Sequence, residues 1–264
     1  MVRFICLAVL AAAGFLGGGE AWREFFDLSS LVITVGGALA VTLLTFSWSR
    51  LSDAGALVWS LWTEKPQSRE KFVEELRRLT RLYRLKGSRG LEGQEANIAD
   101  PFIRRGVGML IDIEGEENIR EQLENAIGAF AARYEAAQQI FLTMGKLLPS
   151  FGLIGTLIGL VLLLRQMSGQ DPAALTSSFA LAIMTTLYGA LIANVVALPL
   201  AAKLYSVEQE KKAVMRAVLE WTTSLARGAA PTAVERKLNA FFAPAGDKQR
   251  GEKSWSRRVL SWQR

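Results

Sequence analysis

The side chains in this sequence that could bind an ion are the hydroxyls of three threonines, Thr156, Thr185 and Thr186. They lie in two apolar segments, where a hydroxyl oxygen can bind a hard cation in place of water. A second interpretation stays open, in which each hydroxyl bonds the carbonyl four residues earlier in its own helix. The sequence has no histidine, which excludes Ser-His-Asp triads, histidine metal sites and histidine proton relays. The three threonines are therefore candidates for an ion pathway, and we predict no enzyme activity, no cofactor and no bound metal.

The two apolar segments that hold these threonines contain no Asp or Glu, and their one Lys, Lys203, lies at the very end of the fourth segment. Asp27 and Arg165 lie only at the ends of apolar segments. A channel that moves a proton or cation through hydrocarbon usually needs an ionisable group inside the membrane, although placing one there is costly. Either the chain conducts nothing, or a partner subunit brings a carboxylate against these polar side chains.

Half of the residues are hydrophobic, and many of them fall in four apolar segments, at 4–16, 28–48, 150–164 and 175–204. The second and fourth segments exceed the roughly 20 residues that a membrane-spanning helix needs. The first and third are shorter, so a buried core helix is the alternative for the third, and a cleaved signal peptide for the first. The third segment is rich in glycine and directly precedes another spanning segment, as in a membrane hairpin.

The positions of the basic residues predict the orientation. Of the 31 Lys and Arg residues, all but Arg23 and Arg165 lie near the start of the chain, in 49–148, or from Lys203 onward. Lys and Arg concentrate on the cytoplasmic side of membrane proteins. Both termini and the long middle segment are therefore predicted to be cytoplasmic.

These observations predict an all-α integral membrane protein with four transmembrane helices. A first transmembrane hairpin covers 1–48 and a large helical cytoplasmic domain 49–148. A second, channel-lining hairpin covers 149–204, and a C-terminal cytoplasmic helix with a basic tail covers 205–264. The apolar residues of the cytoplasmic domain recur at helical spacing, at Phe72, Leu76, Leu79 and Tyr83.

Further local patterns refine this outline. Asp100 followed by Pro101 is typical of a helix N-cap and first helical position. Residues 116–144 are predicted to form one long helix that runs up to Pro149, and 206–242 are predicted to be helical again. Residues 51–62 are amphipathic and suit either a helix on the membrane surface or an ordinary packed helix.

Two features suggest close contacts with other helices and with lipid. Gly152, Gly155 and Gly159 are spaced so that helix backbones could approach closely in the membrane. The tail 248–264 carries six basic residues among two tryptophans. It suits anionic lipid or a solvated tail better than nucleic acid, and we predict membrane lipid but no nucleic acid as a partner.

Long strings of this sequence resemble the MotA/PomA family of flagellar stator subunits, within the wider MotA/TolQ/ExbB group. Residues 26–41 (FDLSSLVITVGGALAV) are similar to the family's second membrane helix. Residues 149–160 (PSFGLIGTLIGL) are similar to its third membrane helix, and 184–194 (MTTLYGALIAN), followed by Leu198-Pro199, to its fourth.

The resemblance implies a bacterial inner-membrane protein in which five such chains surround two MotB/PomB-type helices. An aspartate of those helices would bind the ion and so supply the missing carboxylate. Ion passage would rotate the ring of five chains, and the cytoplasmic domain would push on the rotor protein FliG. Arg84 and Glu92 match the family's rotor-contact pair within 84–92 (RLKGSRGLE), although Leu85 and Gly93 depart from its pattern. Without the resemblance, both would be interpreted as solvated charges.

The resemblance also assigns roles to two prolines and to the threonines. Pro149 and Pro199 match prolines that couple ion binding to movement of the cytoplasmic domain, while sequence alone suits simple helix ends or kinks equally well. Thr156, Thr185 and Thr186 match positions where sodium-type relatives carry threonine, so we expect sodium rather than protons as the coupling ion. The alternative function is a TolQ/ExbB-like or non-flagellar subunit that powers an envelope-spanning partner.

Overall fold

The computed structural model describes residues 26–63, 69–167, 172–230, 232–234 and 236. All regular structure in these residues is helical, which confirms the predicted all-α class. The α-helices are α1 (Leu28–Thr45), α2 (Trp48–Thr63), α3 (Arg69–Lys86), α4 (Pro101–Ile111), α5 (Glu116–Gln166), α6 (Pro172–Ile192) and α7 (Leu198–Ala226). Short 3₁₀ helices at Gly87–Gly90 and Glu95–Asn97 follow α3.

Three helices among the described residues are long and apolar enough to cross a membrane. They are Leu28–Thr45, Glu116–Gln166 and Leu175–Ala226, the last of which contains most of α6 and all of α7. Their apolar parts coincide with the second, third and fourth predicted segments. The first predicted segment, 4–16, and the basic tail, 248–264, lie outside the described residues.

The chain forms two compact units. Among the described residues, the first contains those between 26 and 61 and between 134 and 205, and the second contains those between 62 and 133 and between 206 and 236. The first unit therefore holds the apolar helices and the three threonines. The boundaries predicted from the sequence refer to the membrane, and they stay predictions.

Small residues form much of the core of the first unit, where Ala38, Ala193 and Ala197 pack with Leu148. Two π-helical turns interrupt its helices: Val32–Gly36 lies inside α1, and Ala193–Ala197 joins α6 to α7. Such turns often lie at functional sites. A search for apolar residues at a spacing of 3.6 residues does not detect π-helical turns, and these two were not predicted.

The second unit has a larger apolar core built from α3, α4, α5 and α7. Phe72, Leu76 and Leu79 are buried in it, which confirms the predicted inner face of α3. Trp221 of α7 is also buried there, and its indole nitrogen donates a hydrogen bond to Thr80 Oγ1 at 2.8 Å.

The predicted start of α4 is confirmed, because the Asp100 side chain accepts hydrogen bonds from the backbone amides of Phe102 and Ile103. Two predicted helix extents were wrong. The long helix α5 does not end before Pro149 but continues through it to Gln166. The predicted helix over 206–242 is not continuous, because α7 ends at Ala226, where Gly228 adopts a positive φ of 70° and its amide donates a hydrogen bond to the Leu225 carbonyl. Residues 232–234 and 236 are helical again, and 237–242 lie outside the described residues.

Candidate functional site

The helices that hold the three threonines, α5 and α6, approach each other over glycines. A Cβ atom added at Gly155 would lie 2.5 Å from Thr185 Cβ, and one at Gly159 would lie 2.7 Å from the Ala182 backbone nitrogen. A Cβ at Gly152 would lie 2.9 Å from the Thr185 carbonyl oxygen. These distances leave no space for side chains, so the close approach predicted from the glycine spacing is confirmed.

The hydroxyls of Thr156 and Thr186 form a hydrogen bond with each other across this helix pair. Thr156 Oγ1 also lies 3.1 Å from the Gly152 carbonyl oxygen and 3.0 Å from the Ala182 carbonyl oxygen. Thr186 Oγ1 lies 3.3 Å from the same Gly152 carbonyl. Because each hydroxyl has a single proton to donate, it can satisfy only one of these acceptors at a time. Two hydroxyl and two carbonyl oxygens thus form one cluster, which we call the oxygen cluster.

Thr185 joins the oxygen cluster only at its edge. Its hydroxyl lies 3.1 Å from the Ala182 carbonyl, which it shares with Thr156, and 3.0 Å from the Leu181 carbonyl in its own helix. The Thr185 side chain is fully buried, whereas Thr156 is half-buried and Thr186 is exposed in the single chain. The Thr185 hydroxyl therefore bonds the backbone of its own helix, as the second interpretation predicted. Thr156 and Thr186 have the two accessible hydroxyls of the site, and we call them the accessible pair.

Helix α1 packs against α6 through polar contacts that sequence reasoning missed. Thr34 of α1 donates a hydrogen bond to the Thr185 carbonyl at 3.3 Å, and the Ser30 hydroxyl lies 3.4 Å from the Leu181 carbonyl. The backbone amide of Asp27 donates to the Tyr188 hydroxyl oxygen at 3.0 Å. These three bonds hold α1 against α6, the helix that carries Thr185 and Thr186.

Asp27 caps the start of α1, accepting hydrogen bonds from the Ser29 and Ser30 amides at 3.2 and 2.9 Å and from the Ser30 hydroxyl. The hydroxyl bond from Ser30 holds the pKa of this carboxyl below its usual value. An aspartate two and three residues before serines, at the start of an apolar run, is an N-cap signal that the sequence contained.

Pro149 and Pro199 each follow a turn at which α5 and α7 touch. Pro149 is an exposed residue inside α5, four residues after Gly145, and Pro199 is exposed in the first turn of α7. A Cβ atom added at Gly145 would lie 2.7 Å from Leu198 Cδ2, so the turns that precede the two prolines touch. The π turn before Pro199 suits a residue that cannot donate a backbone hydrogen bond.

Arg84 and Glu92 lie in the second unit, on either side of the 3₁₀ turn Gly87–Gly90. Both side chains are exposed. The Arg84 guanidinium donates a hydrogen bond to the Ala229 carbonyl, which ties the end of α3 to the segment after α7. Gly87 adopts a positive φ of 65°, a conformation that glycine tolerates best and that ends α3 before Glu92.

Comparison with known proteins identifies the family of this site. The profile of the MotA/TolQ/ExbB proton channel family matches residues 94–217. The "Motility protein A" of Borreliella burgdorferi is 32% identical over 225 residues, which cover 85% of this chain and 86% of that protein. The chain belongs to the MotA/PomA family, within the MotA/TolQ/ExbB proton channel family.

Two further similarities support this membership. The "Chemotaxis protein PomA" of Vibrio alginolyticus is 28% identical to the chain over 83% of its length and 85% of the PomA length. The solved structure of the flagellar MotAB stator complex from Bacillus subtilis matches with a TM-score of 0.81 and 25% identity, over 95% of this chain and 98% of that chain. The MotA/TolQ/ExbB match itself includes α4, α5 and α6, and hence the whole oxygen cluster.

Proposed function

We propose that the chain is the ion-conducting stator subunit of a flagellar motor, converting transmembrane ion flux into rotation and torque on the rotor. Membership of the MotA/PomA family supports this function, as do the names of its relatives. The observation that carries the ion-conducting part is the oxygen cluster, because it offers polar ligands at an accessible face of two apolar helical segments.

The acid that binds the ion comes from a second protein. The apolar segments around the oxygen cluster contain no Asp or Glu. A MotB/PomB-like partner would present its membrane aspartate to the accessible pair, Thr156 and Thr186. In this assembly five copies of the chain surround two partner helices, and each copy presents the same pair in turn as the ring rotates.

Sodium is the coupling ion in this proposal. A proton needs only a carboxylate and a path of water, whereas sodium must exchange its hydration water for several oxygen ligands. The hydroxyls of Thr156 and Thr186, with the carbonyls of Gly152 and Ala182, supply oxygens within reach of a carboxylate that contacts the pair. The role of Thr185 is then to hold the Ala182 carbonyl and the helix spacing.

The cytoplasmic unit transmits the torque. Arg84 and Glu92 are exposed beside a glycine turn, and their opposite charges would contact the rotor protein FliG. The hydrogen bond from Arg84 to the Ala229 carbonyl would hold its guanidinium in place for that contact. The chain would lie in the bacterial inner membrane with both termini in the cytoplasm, as the distribution of Lys and Arg predicts.

Dependence on the partner tests this function. The chain is purified alone and together with its MotB-like partner, and each preparation is placed in vesicles loaded with a sodium-sensitive dye. We expect flux only in the complex, because the chain alone lacks a membrane carboxylate. A complex whose partner aspartate is replaced by asparagine is the control and should conduct poorly. A robust ion leak through the chain alone would contradict the proposal.

A further inference from the structure

Helix α2 carries three exposed tryptophans on one face. Trp48, Trp59 and Trp62 are 75%, 73% and 77% exposed. In an α-helix of 3.6 residues per turn, positions 11 and 14 residues after Trp48 lie about 20° and about 40° from it, on opposite sides. The three indoles therefore form one stripe, which spans an arc of about 60°.

The opposite face of α2 packs against the protein. Ala54 and Leu57 are 2% and 6% exposed, and both lie well away from the tryptophan stripe around the helix. The residues of α2 up to Leu61 belong to the same compact unit as the apolar helices. One side of α2 thus packs against the first unit, while the side with the largest apolar side chains is exposed in the chain.

The stripe begins where a membrane-spanning helix ends. Helix α1 ends at Thr45, and Phe46 has an extended backbone with φ −114° and ψ 141°, which separates α1 from α2. Three residues span at most about 10 Å, so Trp48 lies near the membrane boundary. Tryptophan is enriched at this boundary, because the indole combines an apolar body with a polar N–H group.

The position of Trp59 distinguishes two orientations of α2. A helix that stood upright would place Trp59 about 16 Å beyond Trp48, in water. A helix that lies along the membrane surface keeps all three indoles in the boundary layer. The second orientation accounts for large aromatic side chains at both ends of α2.

We propose that α2 lies in the membrane–water interface at the face where α1 ends, with Trp48, Trp59 and Trp62 inserted among the lipid headgroups and upper acyl chains. Between residues 48 and 63 the only charged side chains are Arg50 and Asp53, which have opposite signs. The insertion therefore depends on aromatic surface and not on anionic lipid. Phosphatidylcholine alone is a sufficient partner.

Tryptophan fluorescence in vesicles tests this orientation. The full chain with its partner is reconstituted into phosphatidylcholine whose acyl chains carry bromine near the carbonyl end, which quenches nearby indoles. One variant retains Trp59 and Trp221, with phenylalanine at the other five tryptophans of this chain. A matched variant retains Trp221 alone, which is buried in the second unit and keeps its bond to Thr80.

The difference between the two variants gives the signal of Trp59. We expect brominated lipid to quench it at least twofold, equally with and without added phosphatidylglycerol, and Trp221 to be unaffected. Quenching of Trp59 by aqueous iodide but not by brominated lipid would overturn the proposal. So would shielding from both quenchers, which would indicate a protein neighbour, and so would quenching that requires phosphatidylglycerol. None of these outcomes depends on motor activity.

Discussion

Replacing Gly155 by alanine should separate the helices that form the oxygen cluster. The added Cβ would lie 2.5 Å from Thr185 Cβ, whereas carbon atoms in contact normally lie about 3.5–4.0 Å apart. Because the clash involves Cβ itself, a new rotamer of Thr185 cannot relieve it. Helices α5 and α6 must therefore move apart locally by about 1 Å, the difference between that contact and the packed distance.

A movement of this size would break the oxygen cluster. The 3.0 Å distance from Thr156 Oγ1 to the Ala182 carbonyl would grow to about 4 Å, beyond hydrogen-bonding range. Overpacking of this kind costs about 1–3 kcal/mol. That energy corresponds to a roughly 5- to 150-fold change in an equilibrium constant. We expect motor output to fall and the sodium concentration for half-maximal output to rise within this range.

Swimming speed of a stator-deficient host that expresses the variant with its partner measures the effect, with complex assembly checked by size-exclusion chromatography. Gly36→Ala is the matched control. It adds the same methyl group to a membrane helix, but its Cβ would lie at an ordinary 3.8 Å from Val32 Cγ1. Normal output and normal sodium dependence of Gly155→Ala would refute the argument that glycine spacing maintains the oxygen cluster.

Three further predictions follow from particular side chains. Thr186→Ala should raise the sodium concentration for half-maximal output, whereas Thr45→Ala, which removes a hydroxyl bonded only to its own helix, should not; equal shifts in both would contradict the site. Pro149→Ala and Pro199→Ala should leave assembly intact and reduce torque in a bead assay, and loss of the complex would instead indicate a structural role. Burial raises the pKa of Glu75. Its favourable contribution to stability is present below the unfolded pKa and is lost as pH rises through the folded pKa. Glu75→Gln should therefore raise the melting temperature more at pH 8 than at pH 4, and a pH-independent change would contradict this.

The sequence was informative where local spacing determines the structure. The glycines at 152, 155 and 159 predicted the close packing of α5 and α6, because small residues at that spacing form one face of a helix. The spacing of Phe72, Leu76 and Leu79 likewise predicted the buried face of α3. The aspartate-proline pair at the start of α4 predicted its cap. Each of these needs only the geometry of a single helix.

The sequence was less informative where the register between helices matters. Neighbouring residues such as Thr185 and Thr186 differ by about 100° around a helix, so one is buried and the other exposed. The packing of α1 and α5 against α6 determines which of the two threonines is buried. The pairing of Thr156 with Thr186 also depends on how α5 and α6 align with each other, and no local pattern encodes that alignment.

Pro149 illustrates a different limit. Proline removes a backbone donor and usually ends or kinks a helix, so a boundary at this residue was a reasonable expectation. The structure keeps one helix from Glu116 to Gln166. The turn before the proline packs closely, with Gly145 against Leu198, and a contact of this kind between distant segments is not visible in the local sequence.

Motor output as a function of external sodium, at fixed pH and fixed membrane potential, tests the central claim most directly. The oxygen cluster can hold a cation only if the ion exchanges its water for the hydroxyl and carbonyl oxygens of α5 and α6. We therefore predict that rotation of the reconstituted motor falls to zero as sodium is removed and returns when sodium is restored. Rotation that persists without sodium, and stops only when the proton gradient is collapsed, would contradict the account.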